Sequence, residues 1–101
     1  IHDIKPPKVP MATLVKENFL NVGETLSDKT EQFQMSLTAK GYVKDDTYEL
    51  SIHKMAAKLL NKSSQNGWDF WYVKRDKELI SIDEIRNEYR KTVLNYEAES
   101  L

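Results

Sequence analysis

Both tryptophans of this chain fall within four residues of each other, in the stretch Asn66-Gly67-Trp68-Asp69-Phe70-Trp71-Tyr72, together with a phenylalanine and a tyrosine. A chain of 101 residues buries only somewhat more than about 60% of the surface its unfolded form exposes, which is enough for one core and not two. A core that small needs at least one tryptophan, so the fold has to be arranged around this segment. Read as a strand from Trp68 to Lys74, Phe70 and Tyr72 share one face, while Trp71 and Val73 share the other. Trp71, mid-strand beside Val73, is the expected core tryptophan. Trp68 stands next to the Asn66-Gly67 turn signal. It either closes the core from one end or is exposed enough to stack on an unpaired base.

The other elements follow from periodicity. Met11 to Leu20 carries apolar residues at helical spacing and predicts a helix, with Asn21 to Gly23 as its exit. Glu31 to Ala39 alternates, with Phe33, Met35, Leu37 and Ala39 on one side and polar residues on the other, so a half-buried strand is predicted. Tyr42-Val43 and Thr47 to Leu50 continue a meander around turns at Lys40-Gly41 and Asp45-Asp46, and Glu24 to Ser27 adds an edge strand. Ser51 is a good N-cap for a helix whose apolar positions are Ile52, Met55, Ala56, Leu59 and Leu60. After the strand from Trp68, Arg75-Asp76-Lys77 forms a turn and Glu78 to Ile80 a partner strand. Ser81 with Glu84 makes a capping box for a last helix, Ile82 to about Leu94. The predicted architecture is a small single α+β domain, about three helices and a mainly antiparallel sheet, over residues 11–95. Residues 1–10, with prolines at 6, 7 and 10, read as an extended linker from a preceding domain, and residues 96–101 as a tail.

The formal charge of −1 offers no overall attraction to an anion, but its distribution is uneven. Residues 51–77 hold six Lys/Arg against two acids, whereas residues 11–50 and 78–101 each carry a balance of −3. Lys54, Lys58 and Lys62 recur at i+4 steps along the Ser51 helix, and Lys74, Arg75 and Lys77 follow the aromatics.

Absent motifs narrow the chemistry. The chain has no cysteine, and hence no disulfide framework, thiolate zinc site or cysteine nucleophile. It has no glycine-rich phosphate loop, G-x-S-x-G, H-E-x-x-H or metal-ligand cluster. Ser51 and His53 point in different directions from a helix start and do not make a catalytic dyad, so His53 is read as a packing or capping residue. Asp45-Asp46 is read as a solvated turn rather than a paired-carboxylate site. No run approaches the length of a membrane span and no leader is recognisable, so the chain is read as cytosolic. Ser51 remains open between a cap alone and a cap that also holds a phosphate at the helix N-terminus. Asn66 is open between a positive-φ turn and an amide that reads a base edge.

These residues, taken in order, resemble a known family. Lys8-Val9-Pro10 with the helix Met11 to Val15, the Leu20 to Leu26 approach, Ser51-Ile52-His53, Asn66-Gly67-Trp68 with Phe70-Trp71, and Ile82-Asp83-Glu84-Ile85-Arg86 are similar to the C-terminal domain of adenine-N6 DNA methyltransferases of the HinfI and cell-cycle-regulated type. Those enzymes modify adenine in GANTC, and the domain belongs to the restriction-enzyme adenine methylase-associated (RAMA) class. The resemblance implies a DNA-binding accessory domain in a bacterial, nucleoid-associated protein, with DNA and the parent's own catalytic domain as partners. It also implies S-adenosylmethionine as the parent's cofactor and none in this chain, which lacks the methyltransferase motifs and is not expected to be an enzyme. The expected contacts are Ser51, Lys54, Lys58, Lys62, Asn66, Trp68, Lys74 and Arg75. The rival reading is an interaction or homodimerisation module of the same methyltransferase.

Overall fold

The computed structural model describes residues 8–94; residues 1–7 of the linker expected over 1–10, which include His2, and the expected tail over 96–101 lie outside the described residues. The chain runs α1 (Met11–Lys16), β1 (Thr25–Ser27), β2 (Gln34–Leu37), β3 (Val43–Lys44), β4 (Glu49–Leu50), α2 (Ile52–Leu60), α3 (Gly67–Phe70), β5 (Tyr72–Arg75), β6 (Glu78–Ser81) and α4 (Ile82–Thr92). The six strands form one antiparallel sheet in the order β4-β3-β2-β1-β5-β6. The α+β class is as expected, with four helices among the described residues instead of three.

Register explains where the core lies. Leu26 of β1 is paired with Met35 of β2 and with Val73 of β5, which is itself opposite Ile80 of β6. A second apolar row runs from Leu37 through Val43 to Leu50. Leu26, Leu37, Val43 and Val73 are all buried, and each such side chain contributes about 1.5–3 kcal/mol of transfer free energy. The predicted edge strand at 24–27 is therefore corrected: β1 is central, because Leu26 supplies the apolar residue that both flanking strands pack beside.

Two helical boundaries also differ from expectation. α1 stops at Lys16 because Asn18 takes a left-handed conformation (φ 66°), and the Phe19 and Leu20 N–H groups both turn back to the Leu14 carbonyl at 2.9 and 3.1 Å. Residues 68–70, predicted as strand, are a single helical turn. The Asn66 side chain accepts the Trp68 N–H at 3.0 Å and starts that turn, so Asn66-Gly67 is a helix cap and not a positive-φ turn. Gly67 is needed for closeness: a Cβ there would stand 2.6 Å from the Ile52 backbone carbon. The positive-φ pair is Asp76-Lys77 (50° and 71°), whose primed turn joins β5 to β6.

Trp71 is the core tryptophan that parity predicted. It is fully buried, and its indole N–H donates to the Ile52 carbonyl at 2.9 Å. Its backbone N–H reaches the Gly67 carbonyl, and its own carbonyl accepts from Ile82 N–H, both at 3.1 Å. One residue thus ties together the starts of α2, α3 and α4. Val9, at the end of the segment read as a linker, is also in the core at 5% exposure.

Carboxylates hold two of the turns. Asp45 accepts from the Tyr48 and Thr47 N–H groups at 2.7 and 2.8 Å, which makes the Asp45-Asp46 pair a turn, as read from the sequence. These bonds hold the Asp45 carboxyl below its ordinary 3.8. At Asp28, partial desolvation pushes the carboxyl up, but the Phe33 N–H and the Thr30 hydroxyl outweigh it and leave it also below 3.8. A folded-state value under the unfolded one stabilises the fold above pH 3.8, and that contribution is lost as pH falls through the lowered value. Asp28→Asn is therefore expected to lower Tm at neutral pH. The gap to wild type should close on acidification below pH 3.8 in thermal melts monitored by circular dichroism. A gap independent of pH would exclude the carboxylate charge as its source.

Candidate functional site

The N-terminus of α2 is where the singled-out residues converge. Ser51 caps it, its hydroxyl accepting the Lys54 N–H at 3.2 Å. His53, in the first turn, accepts the Gly67 N–H on Nδ1 at 2.8 Å, which locks α3 against α2 and requires that nitrogen to be unprotonated. His53 is thus a joint between helices, as a packing residue, rather than half of a dyad with Ser51. Gly67 lets the two helices approach closely.

Beside this joint lies a cleft of about 460 Å³, lined by Lys8, Val9, Pro10, Met11, Gly41, Tyr42, Ser51, Ile52, His53, Trp68, Arg86 and Arg90. Among the described residues the lining includes Lys8, Arg86 and Arg90 and no carboxylate. Its buried members include Val9, Met11, Ile52 and Trp68, whereas Lys8, Tyr42 and His53 are exposed, so an apolar bottom is rimmed by polar groups. Arg90 is 8% exposed and donates to the Asn87 side chain at 2.8 Å. Chemically, such a cleft suits an anionic group attached to something flat or apolar.

Trp68 is placed differently from the exposed ring that the sequence allowed. It is 8% exposed, and the Arg86 guanidinium lies over its ring at 4.0 Å from the centroid. Arg86 also pairs with Asp83. The ring thus closes the core from one end, one of the two readings that the sequence left open, and both it and Arg86 line the cleft.

The lysines divide. Lys54 and Lys58 are exposed on α2, Lys58 lying over the Tyr48 ring at 4.1 Å. Lys62 falls past the helix, because Asn61 turns left-handed (φ 57°) and the Lys62 N–H closes back on the Ala57 carbonyl at 2.9 Å. Lys74 and Arg75 do not join this group. Lys74 pairs with Glu31 at 3.3 Å, and the half-buried Arg75 is engaged by Glu24 and by the Phe19 carbonyl at 3.0 Å. Arg75 therefore fastens β5 to the chain after α1.

Sequence reasoning missed Lys8, Arg86 and Arg90. The positive balance lies in the segment 51–77, and the balance of −3 in residues 78–101 hides two arginines. The available signal was that Ile82, Arg86 and Arg90 recur at i+4, which puts both cations on the ridge of a buried isoleucine. Among the described residues no group of His, Cys, Asp and Glu could hold a metal ion, and no helix is long and apolar enough to cross a membrane.

Comparison with known proteins agrees with this fold-wide pattern. The chain is 53% identical over 87 residues to the type II methyltransferase M.HinfI of Haemophilus influenzae, a match that covers 86% of this chain and 24% of that protein. The chain thus spans about a quarter of the length of this relative. The model of the family described as Restriction Enzyme Adenine Methylase Associated (RAMA) matches residues 2–95, and the chain belongs to that family.

Proposed function

We infer that this chain is a DNA-binding accessory domain of a site-specific adenine-N6 DNA methyltransferase acting on GANTC. It works beside a catalytic domain of the same parent protein, and that domain supplies the S-adenosylmethionine chemistry. The observation that carries this reading is the cleft at the start of α2, where the described residues bring Lys8 and Arg86 together with no lining carboxylate in a chain whose net charge is −1. Lys54 and Lys58 extend the positive surface along the helix, and Ser51 offers a hydroxyl and a helix N-terminus at the cleft's edge. Asn66 is committed to capping α3 through its carbonyl oxygen, so its amide nitrogen is the atom left for a DNA contact.

The test is affinity for a GANTC duplex, intact and with an unpaired bubble, across a salt series. Three neutralised phosphates give a log–log slope of about −2.7, which corresponds to roughly 40-fold weaker binding at 200 mM than at 50 mM salt. A flat series would remove the phosphate contacts and with them this reading.

A further inference from the structure

We propose that His53 is a positioning residue whose neutral ring holds α3 in place for its contact with DNA, so that a proton on Nδ1 releases α3 and weakens binding. This role rests on the DNA-binding reading, in which Asn66 meets DNA through its amide nitrogen.

The geometry of α3 carries it. Gly67–Phe70 is a single turn, too short to stand as a helix without partners outside itself. Two of its first N–H groups are satisfied locally, Trp68 by Asn66 Oδ1 at 3.0 Å and Asp69 by the Asn66 carbonyl at 3.2 Å. The Gly67 N–H instead finds its acceptor on another helix, His53 Nδ1 at 2.8 Å, fourteen residues away in the chain. The backbones of α2 and α3 are in contact at this residue, since a Cβ on Gly67 would stand 2.6 Å from the Ile52 backbone carbon. The amide therefore cannot swing away from the ring without parting the helices.

An imidazole accepts a hydrogen bond only while one nitrogen is bare, and with a proton on both it has two donors and no acceptor. The Gly67 N–H would then face another N–H, a half-buried donor left without a partner. The surrounding charges offer the protonated ring little compensation. Lys8 from the segment before α1, Tyr42 from the turn between β2 and β3, and Arg86 and Arg90 of α4 line the cleft with it. Lys54 follows it on α2, and Asp69 is the charged residue of α3. Among the described residues no carboxylate lines the cleft, so the ring gains no ion pair there. The sign of the pH effect separates this role from a direct contact. A histidine that met phosphate would bind DNA more tightly as it gained charge, whereas a joint that needs the bare nitrogen binds it less tightly.

The experiment measures DNA affinity of this chain at constant salt from about pH 8 to about pH 5.5, the range in which an imidazole titrates, beside His53→Asn and His53→Gln. The asparagine amide oxygen takes the place of Nδ1 and does not titrate, and the glutamine oxygen lies one bond too far. Wild type is expected to bind about 5- to 50-fold more weakly at the acid end. His53→Asn should keep the neutral-pH affinity at both ends, and His53→Gln should show the weaker affinity at both. Should His53→Gln fail to fold, the wild type and His53→Asn carry the comparison alone. His2, the chain's other histidine, is retained in both variants. Binding that tightened on acidification in wild type and not in His53→Asn would make His53 a phosphate contact and overturn the proposal. The Gly67 amide resonance, followed over the same range without DNA, separates this role from the reading beneath it. A resonance that moves with pH in wild type and stays fixed in His53→Asn, in a chain that binds no DNA at any pH, would support the joint and remove the DNA reading. Salt-dependent DNA binding with one and the same pH response in wild type and His53→Asn would do the reverse.

Discussion

Trp71→Ala is expected to lower stability by about 3–5 kcal/mol. Trp71 is the largest fully buried side chain of the described residues, and its indole N–H makes a buried hydrogen bond to the Ile52 carbonyl at 2.9 Å. Truncation therefore removes the transfer free energy of a whole indole and leaves a cavity where α2, α3 and α4 begin, beside Phe70, whose ring meets it edge-on at 4.8 Å. A domain of this size is stable by roughly 5–15 kcal/mol, so a fifth or more of the total is at stake. At about 4–8 °C per kcal/mol, Tm should fall by at least some 12 °C. Trp71→Phe keeps an aromatic ring but loses the donor, and should lie between wild type and alanine. Differential scanning calorimetry of the three proteins checks the order. An alanine variant that melted within a few degrees of wild type would show that the three helix starts are held by something other than this side chain.

The pattern that located Trp71 was sound for a reason that did not apply to Trp68. Strand parity separates inside from outside only where the chain is extended, and residues 71–75 are extended. At Trp68 the Asn66 cap competes with the strand: a side chain that satisfies the Trp68 N–H locally is enough to start a helical turn in a segment of high β-propensity. The helix of Ile52 to Leu60, the capping box at Ser81 and the meander were legible because each is written in local periodicity or turn chemistry. The place of β1 was not, because a three-residue strand carries too few positions to distinguish an edge from a centre. The site was legible in part for the same reason. Ser51 and His53 announce a helix start, and the family motif brings in Asn66-Gly67-Trp68, but the cations that line the cleft come from Lys8 and α4, far from both in sequence. Lys74 and Arg75 looked free because their acids, Glu31 and Glu24, are remote in the chain and adjacent only across the sheet.

Gly41→Ala should strike the cleft through its wall. Gly41 has φ +83°, and a Cβ there would stand 2.6 Å from the Ala12 backbone nitrogen and 2.7 Å from the Met11 Cβ. The left-handed backbone alone costs an L-residue about 1–2 kcal/mol. Overpacking against a helix start adds about 1–3 kcal/mol, giving a total of about 2–5 kcal/mol. Gly23 is the matched control, with φ +86° and nothing within 4 Å, so Gly23→Ala should show the backbone cost only. The difference between the two variants in Tm isolates the close approach of the Gly41 turn to α1. That approach has a functional reading because Lys8 to Met11 line the cleft and Val9, at 5% exposure, anchors them in the core. Pushing the start of α1 away displaces Lys8 to Met11 in the cleft lining, so Gly41→Ala, measured well below its lowered Tm, should also weaken DNA binding while Gly23→Ala leaves it unchanged. Equal melting points for the two variants would mean that α1 moves aside at no cost, and the segment leading into the domain would then be no fixed part of the cleft.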